Sequence, residues 1–183
     1  MSNSLRKRNY NWVPIAFILS PIIWTIPTFF ILRAQTDSKN AACESSMKSH
    51  GLNLLFYAKN HDDVLPNAKN WIQASRAGED EPLKCPADPD KARLVSYAMN
   101  ANLSGKKLSD IKNPSQVILL YETNAKGSTP FGTGKDMVDI GKEKAGQGRH
   151  NLVAYRFNFF LMADGTIRRA GTHDERKPLR WTP

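Results

Sequence analysis

The polarity pattern of the chain changes character at Arg33. Before it, residues 13 to 32, VPIAFILSPIIWTIPTFFIL, are twenty consecutive positions without a charge, bracketed by Arg6, Lys7 and Arg8 on one side and Arg33 on the other. A helix rising about 1.5 Å per residue needs about 20 apolar residues to cross a hydrocarbon core of roughly 30 Å. Ser20, Thr25 and Thr28 make no polar stripe, so the run predicts a transmembrane helix at 13–32 rather than a buried globular one. Pro21 and Pro27 remove backbone donors within it and predict a bend.

After Arg33 the pattern becomes amphipathic. Cys43, Met47, Leu54 and Ala58 recur near helical spacing, joined by Leu55, while Lys39, Glu44, Lys48 and Lys59 fall on the other side. No breaker stands between Arg33 and Gly51, so the membrane helix is expected to run straight on to about residue 60, burying its distal half against the protein's own sheet. His61-Asp62-Asp63 then turns the chain ahead of Pro66, and these residues read as turn formers rather than metal ligands. A short helix is expected around Trp71 and Ile72, and Lys84-Cys85-Pro86-Ala87-Asp88-Pro89 reads as a rigid turn.

The period then drops to that of strands. Val95 to Asn100 and Gln116 to Glu122 are strand candidates, with a helical turn at Leu108 to Ile111 between them. Leu152 to Ala163, Asp164-Gly165 and Thr166-Ile167-Arg168 form a strand, a D-G turn and a returning strand, a hairpin signal. The segment 124–148 holds six of the eleven glycines and few apolar residues, so a long mobile loop is expected there. Its Gly132-Thr133-Gly134-Lys135 is not a phosphate loop, because Asp136 stands where Ser or Thr is required and no helix pattern comes after it. Near the end, Trp181 is expected to dock on the sheet. The fold class is α+β.

Charge orients these elements. Three of the nine net positive charges lie before residue 11, which keeps the N-terminus in the cytoplasm and exports the chain beyond the span. Residues 1–12 are then a cytoplasmic flank and 33–183 one extracytoplasmic domain at a bacterial inner membrane, periplasmic in a diderm. The apolar run is too long for a secretory h-region and lacks an A-x-A-like site, which predicts an uncleaved anchor in contact with membrane lipid. The remaining basic residues are scattered pairs without stacking aromatics, so no nucleic-acid partner is expected. An even count of exported cysteines suggests a Cys43–Cys85 disulfide, two buried thiols being the alternative.

Candidate chemistry is sparse. No catalytic residue, cofactor site or metal site is assigned. The best constellation is Glu122, His150 and Asp164, carboxylate, imidazole and carboxylate near strand ends, able to hold a metal or move a proton if they converge. Otherwise they are a salt-bridged and turn-capping set.

The run from Cys43 to Pro66, then Lys84-Cys85-Pro86-Ala87-Asp88, Ser96-Tyr97-Ala98-Met99-Asn100, Pro114 to Glu122, Arg149-His150, Ala163-Asp164-Gly165 and Leu179-Arg180-Trp181 resemble the pseudopilin-like proteins of type II secretion and type IV pilus systems. More narrowly they resemble members with a C-terminal H-x9-D-G segment. The resemblance implies a pilin-like fold, a long N-terminal helix on a small antiparallel sheet, without known catalysis. It also implies other pilin-like subunits or secretion-system components as partners of that helix. Two features differ: Arg8 to Trp12 carry no prepilin peptidase glycine or glutamate, and thirteen residues separate His150 from Asp164 where the family has nine. The expected function is that of a membrane-anchored pseudopilin-like assembly protein. The alternatives are an independent single-span periplasmic binding module and an enzyme using Glu122, His150 and Asp164.

Overall fold

The computed structural model describes residues 13–76, 82–137, 148–152, 155–171 and 179–183, without the side chains of 13–27, 151, 152 and 155. The chain divides into two units, Met1–Gln35 and Thr36–Pro183.

In the first unit the backbone is helical from Val13, where helix α1 (Val13–Lys59) begins. All of residues 28–35 are exposed, and Phe29, Phe30, Ile31 and Leu32 each show more than half of their surface, at 58, 64, 57 and 64%. Successive helical residues are about 100° apart, so four in a row leave every side of the helix apolar. Among the described residues no helix is long and apolar enough to cross a membrane. Most of the predicted span, the side chains of 13–27, and the whole flank 1–12 lie outside those residues.

The second unit is α+β. Within it α1 buries Asn40, Cys43, Ser46, Met47, His50, Gly51, Leu54 and Ala58, positions that recur at three and four residues with two adjacent pairs and keep one stripe on the core. The amphipathic reading of this half was therefore right, while Leu52 and Phe56, on its flanks, stay exposed. The short helix α2 (Trp71–Ser75) comes next. The strands are β1 (Tyr97–Asn100), β2 (Ile118–Glu122), β3 (Phe131–Gly132), β4 (His150–Leu152), β5 (Tyr155–Met162) and β6 (Ile167–Gly171). A 3-10 turn at Leu108–Asp110 stands where a helical turn was expected.

The sheet is mixed, correcting the expectation of a purely antiparallel one: β3 runs parallel to β1, while β1–β2, β2–β5, β4–β5 and β5–β6 are antiparallel. Phe157 pairs with both His150 and Gly171, and Phe160 with both Tyr121 and Arg168. A strand has two edges, so one edge of β5 is shared end to end by β4 and β2, and the other belongs to β6. That arrangement brings the start of β4 to the end of β2.

Side chains alternate between two faces, as the strand period requires. Tyr97, Met99, Phe157, Phe159 and Leu161 join the core that holds Cys43, Met47 and Leu54. Ala98, Ile118, Tyr121, Phe160 and Met162 form a second core, covered by Met137, Leu179 and Trp181. Both faces are thus buried, which explains the unbroken apolar run in β2. Gly51 lets α1 approach β5, because a Cβ there would overlap the Leu161 side chain.

The segment expected to be a mobile loop at 124–148 is partly structured. It contains β3, and the Trp71 indole Nε1–H donates to the Pro130 carbonyl at 2.7 Å. The Asp136 carboxylate accepts from Tyr121 Oη at 2.7 Å and Thr123 Oγ1 at 2.6 Å, tying the end of the described part to β2. Composition suggested mobility because these anchors are contributed from elsewhere in the chain; residues 138–147 lie outside the described ones.

Candidate functional site

Five separated segments meet where β4 abuts β2: α1 at Asn40 and Cys43, the turn Cys85–Asp88, the approach to β1 at Ser96, the end of β2 at Glu122, and Arg149-His150 entering β4. Cys43 and Cys85 are joined as a disulfide with Cα atoms 4.9 Å apart. The Pro86 turn carries Cys85 back to the helix, and Asp88 beyond it is itself fully buried.

A carboxylate without water needs charge and hydrogen bonds, and Asp88 has both. It accepts from Ser96 Oγ at 2.6 Å and pairs with Arg93 Nε at 2.9 Å and Arg149 Nη2 at 3.1 Å. Glu122 accepts from the Phe159 amide at 2.9 Å, meets His150 Nε2 at 2.8 Å, and lies 3.6 Å from Arg149 Nη1. The Arg149 guanidinium also donates to the carbonyls of Ser96 and Thr123 at 2.9 and 2.8 Å, filling the gap between β1, β2 and β4. Two carboxylates are matched by two guanidinium groups. His150 Nδ1 meets Asn40 Oδ1 at 2.9 Å, its ring stacks on Phe157 and lies tilted beside Phe159, and Nε2 stands 3.8 Å from Cys85 Sγ.

Of the three predicted polar residues, Glu122 and His150 converge and Asp164 does not. Asp164 lies exposed in the β5–β6 turn, where its Oδ1 accepts from the Thr166 amide and hydroxyl at 2.9 and 2.6 Å. Gly165 beside it has φ +83°, the left-handed conformation the D-G signal required. Arg149, Asp88, Ser96 and Asn40 occupy the place expected for Asp164. Every charged member of the group buries its side chain, Asp88 and Glu122 at 0% and Arg149 at 1%. The cleft lined by Ile72, Leu83, Leu94 and Val95, about 490 Å³, contains none of them.

The same negative charge acts on a neighbour. Burial, with Glu122 nearby, raises the Tyr97 phenol well above its ordinary range, and its hydroxyl donates to the Cys43 carbonyl at 3.1 Å. Burial and the Asp136 carboxylate raise Tyr121 in the same direction. A tyrosine that holds its proton only when folded is ionised first in the unfolded chain. Its stabilisation is complete below about pH 10 and falls as pH rises, by up to about 1.4 kcal/mol per unit for each such group. Alkaline titration should therefore show two tyrosinates appearing late and together with loss of near-ultraviolet circular dichroism; their early, separate ionisation in folded protein would contradict the burial.

No protein-family model, curated protein or solved structure matches the chain.

Proposed function

We propose that this protein is a single-span, membrane-anchored, pseudopilin-like structural or assembly component of a type II secretion or type IV pilus-like system. The observation that carries the reading is the start of α1. Phe29 to Leu32 leave all sides of a helix apolar and exposed, and in the sequence the uncharged run to which they belong, 13–32, has the length of a bilayer core. A surface of this kind is stable only against lipid or the apolar helices of partners. The Arg6-Lys7-Arg8 flank places the N-terminus in the cytoplasm and the Thr36–Pro183 unit outside it.

The Glu122–His150–Arg149–Asp88 group fits a structural role, since buried and charge-matched carboxylates hold segments in place without meeting a substrate. An independent periplasmic binding module is the second reading, favoured by the missing prepilin peptidase site. Dragging Arg6, Lys7 and Arg8 into hydrocarbon costs about 2.5–3.5 kcal/mol each at the membrane centre, which disfavours entry into a fibre.

Envelope fractionation tests the anchor: the protein should stay in the membrane pellet through alkaline carbonate, with the C-terminal unit digested by protease only from the extracytoplasmic side. Release by carbonate would overturn it. N-terminal sequencing should begin at Met1 or Ser2; a chain starting near Asn11 with a methylated first residue would mean prepilin-type processing. Copurification with a secretion or pilus apparatus separates the assembly reading from the binding module.

A further inference from the structure

The disulfide does not stand alone in its cavity: the sulfur atoms of Cys43 and Cys85 and a ring nitrogen of His150 lie within 4.8 Å of one another, all in fully buried residues. Zinc bonded to thiolate sulfur at about 2.3 Å and imidazole nitrogen at about 2.0 Å places its donors roughly 3.5–3.8 Å apart. Cys85 Sγ is already 3.8 Å from His150 Nε2. Breaking the S–S bond lets the two sulfur atoms separate, and the remaining donor distances, all within 4.8 Å, need only small side-chain adjustments.

We infer that the reduced protein holds one Zn²⁺ between Cys43, Cys85 and His150, so that one buried site is a disulfide when oxidised and a zinc centre when reduced. The surroundings supply what such a centre needs. Asn40 Oδ1, 2.9 Å from Nδ1, accepts a proton held there, the usual orienting contact of a ligating histidine, and Nε2 becomes a ligand when the proton it shares with Glu122 is given up to solvent. Glu122 Oε1, 2.8 Å from the same Nε2, is the contact that this nitrogen exchanges for the metal. The two charges of Zn²⁺ balance the two thiolates, so Arg149 stays paired with Asp88 at 3.1 Å and beside Glu122 at 3.6 Å.

Reduction and metal binding are two balanced steps. An external dithiol delivers two electrons and two protons to the S–S bond and closes to its own disulfide. Zn²⁺ then displaces both thiol protons to solvent as the two sulfur–metal bonds form. Oxidation of the site by a disulfide-bearing oxidant reverses this and expels the metal.

The full-length chain in detergent, with and without dithiothreitol treatment and then desalting under argon, is titrated with Zn²⁺ and, for its spectrum, with Co²⁺. One equivalent should bind to the reduced protein only, Co²⁺ giving thiolate charge-transfer bands and the visible pattern of a tetrahedral site. The Cys43→Ser/Cys85→Ser variant should bind none, and Asn40→Leu should weaken binding roughly 10–100-fold. If the reduced chain loses structure without metal, adding Zn²⁺ should restore its circular dichroism. Equal binding by the oxidised form, a cobalt spectrum without sulfur bands, or reduced protein that neither binds nor refolds with zinc would each overturn the inference.

Discussion

Replacing Arg149 by methionine is expected to lower the stability of the Thr36–Pro183 unit by about 3–5 kcal/mol, because it leaves two buried carboxylates short of the charge that balances them. Methionine fills much of the same length with apolar atoms, so the loss is not mainly one of packing. Asp88 would keep Arg93 and Ser96, and Glu122 would keep His150 and the Phe159 amide, but each loses a guanidinium contact. Arg149→Lys restores the charge yet cannot reach two carboxylates and two carbonyls at once, so it should fall between wild type and methionine. Thermal melts read the result: a loss of this size corresponds to roughly 6–20 °C for a chain of this length. Adding Asp88→Asn to Arg149→Met should cost less than the sum of the single changes, by about 0.5–3 kcal/mol. Strict additivity, or an Arg149→Met melt within a degree or two of wild type, would mean that the network contributes little.

This network also shows where the sequence was informative and where it was silent. Periodicity located the elements: the stripe Cys43, Met47, Leu54, Ala58 is buried, the D-G turn closes β5 on β6, and Trp181 packs edge-on against Tyr121 at 5.0 Å. Those are local signals, set by 3.6 and 2.0 residue periods and by the positive φ of Gly165. The parallel pairing of β3 was not legible, since Phe131–Gly132 is too short to carry a period and is positioned by Trp71 far behind it. Asp164 was misplaced for a similar reason. A carboxylate near a strand end looks alike whether it caps a turn or enters the core, and only the shared edge of β5 decides which one meets His150. Asn40, Asp88 and Arg149 had a weak signal, a polar residue at a core phase of α1 and charged residues next to Cys85 and His150. Their partners lie as much as 110 positions away in the chain, beyond any local pattern.

Trp71→Ala is expected to be as damaging as loss of Arg149, about 3–5 kcal/mol. The ring is fully buried and stands edge-on to His50 with centroids 6.4 Å apart, so truncation opens a cavity between α1 and the 124–137 segment. Its Nε1–H is also a direct tie from α2 to the Pro130 carbonyl, next to the two-residue strand that pairs with β1. Trp71→Phe separates these contributions. It keeps most of the apolar volume and removes the donor, but the Pro130 carbonyl still accepts from the Met99 amide at 3.3 Å, so about 1 kcal/mol should be lost. Hydrogen exchange gives the local readout. In Trp71→Phe the Met99 amide and its neighbours in β3 should exchange faster while β5 and β6 keep their protection; in Trp71→Ala the whole unit should loosen. Unchanged exchange at Met99 in the phenylalanine variant would show that β3 is held by its own pairing with β1 and by Asp136, and that the indole serves only to fill the core.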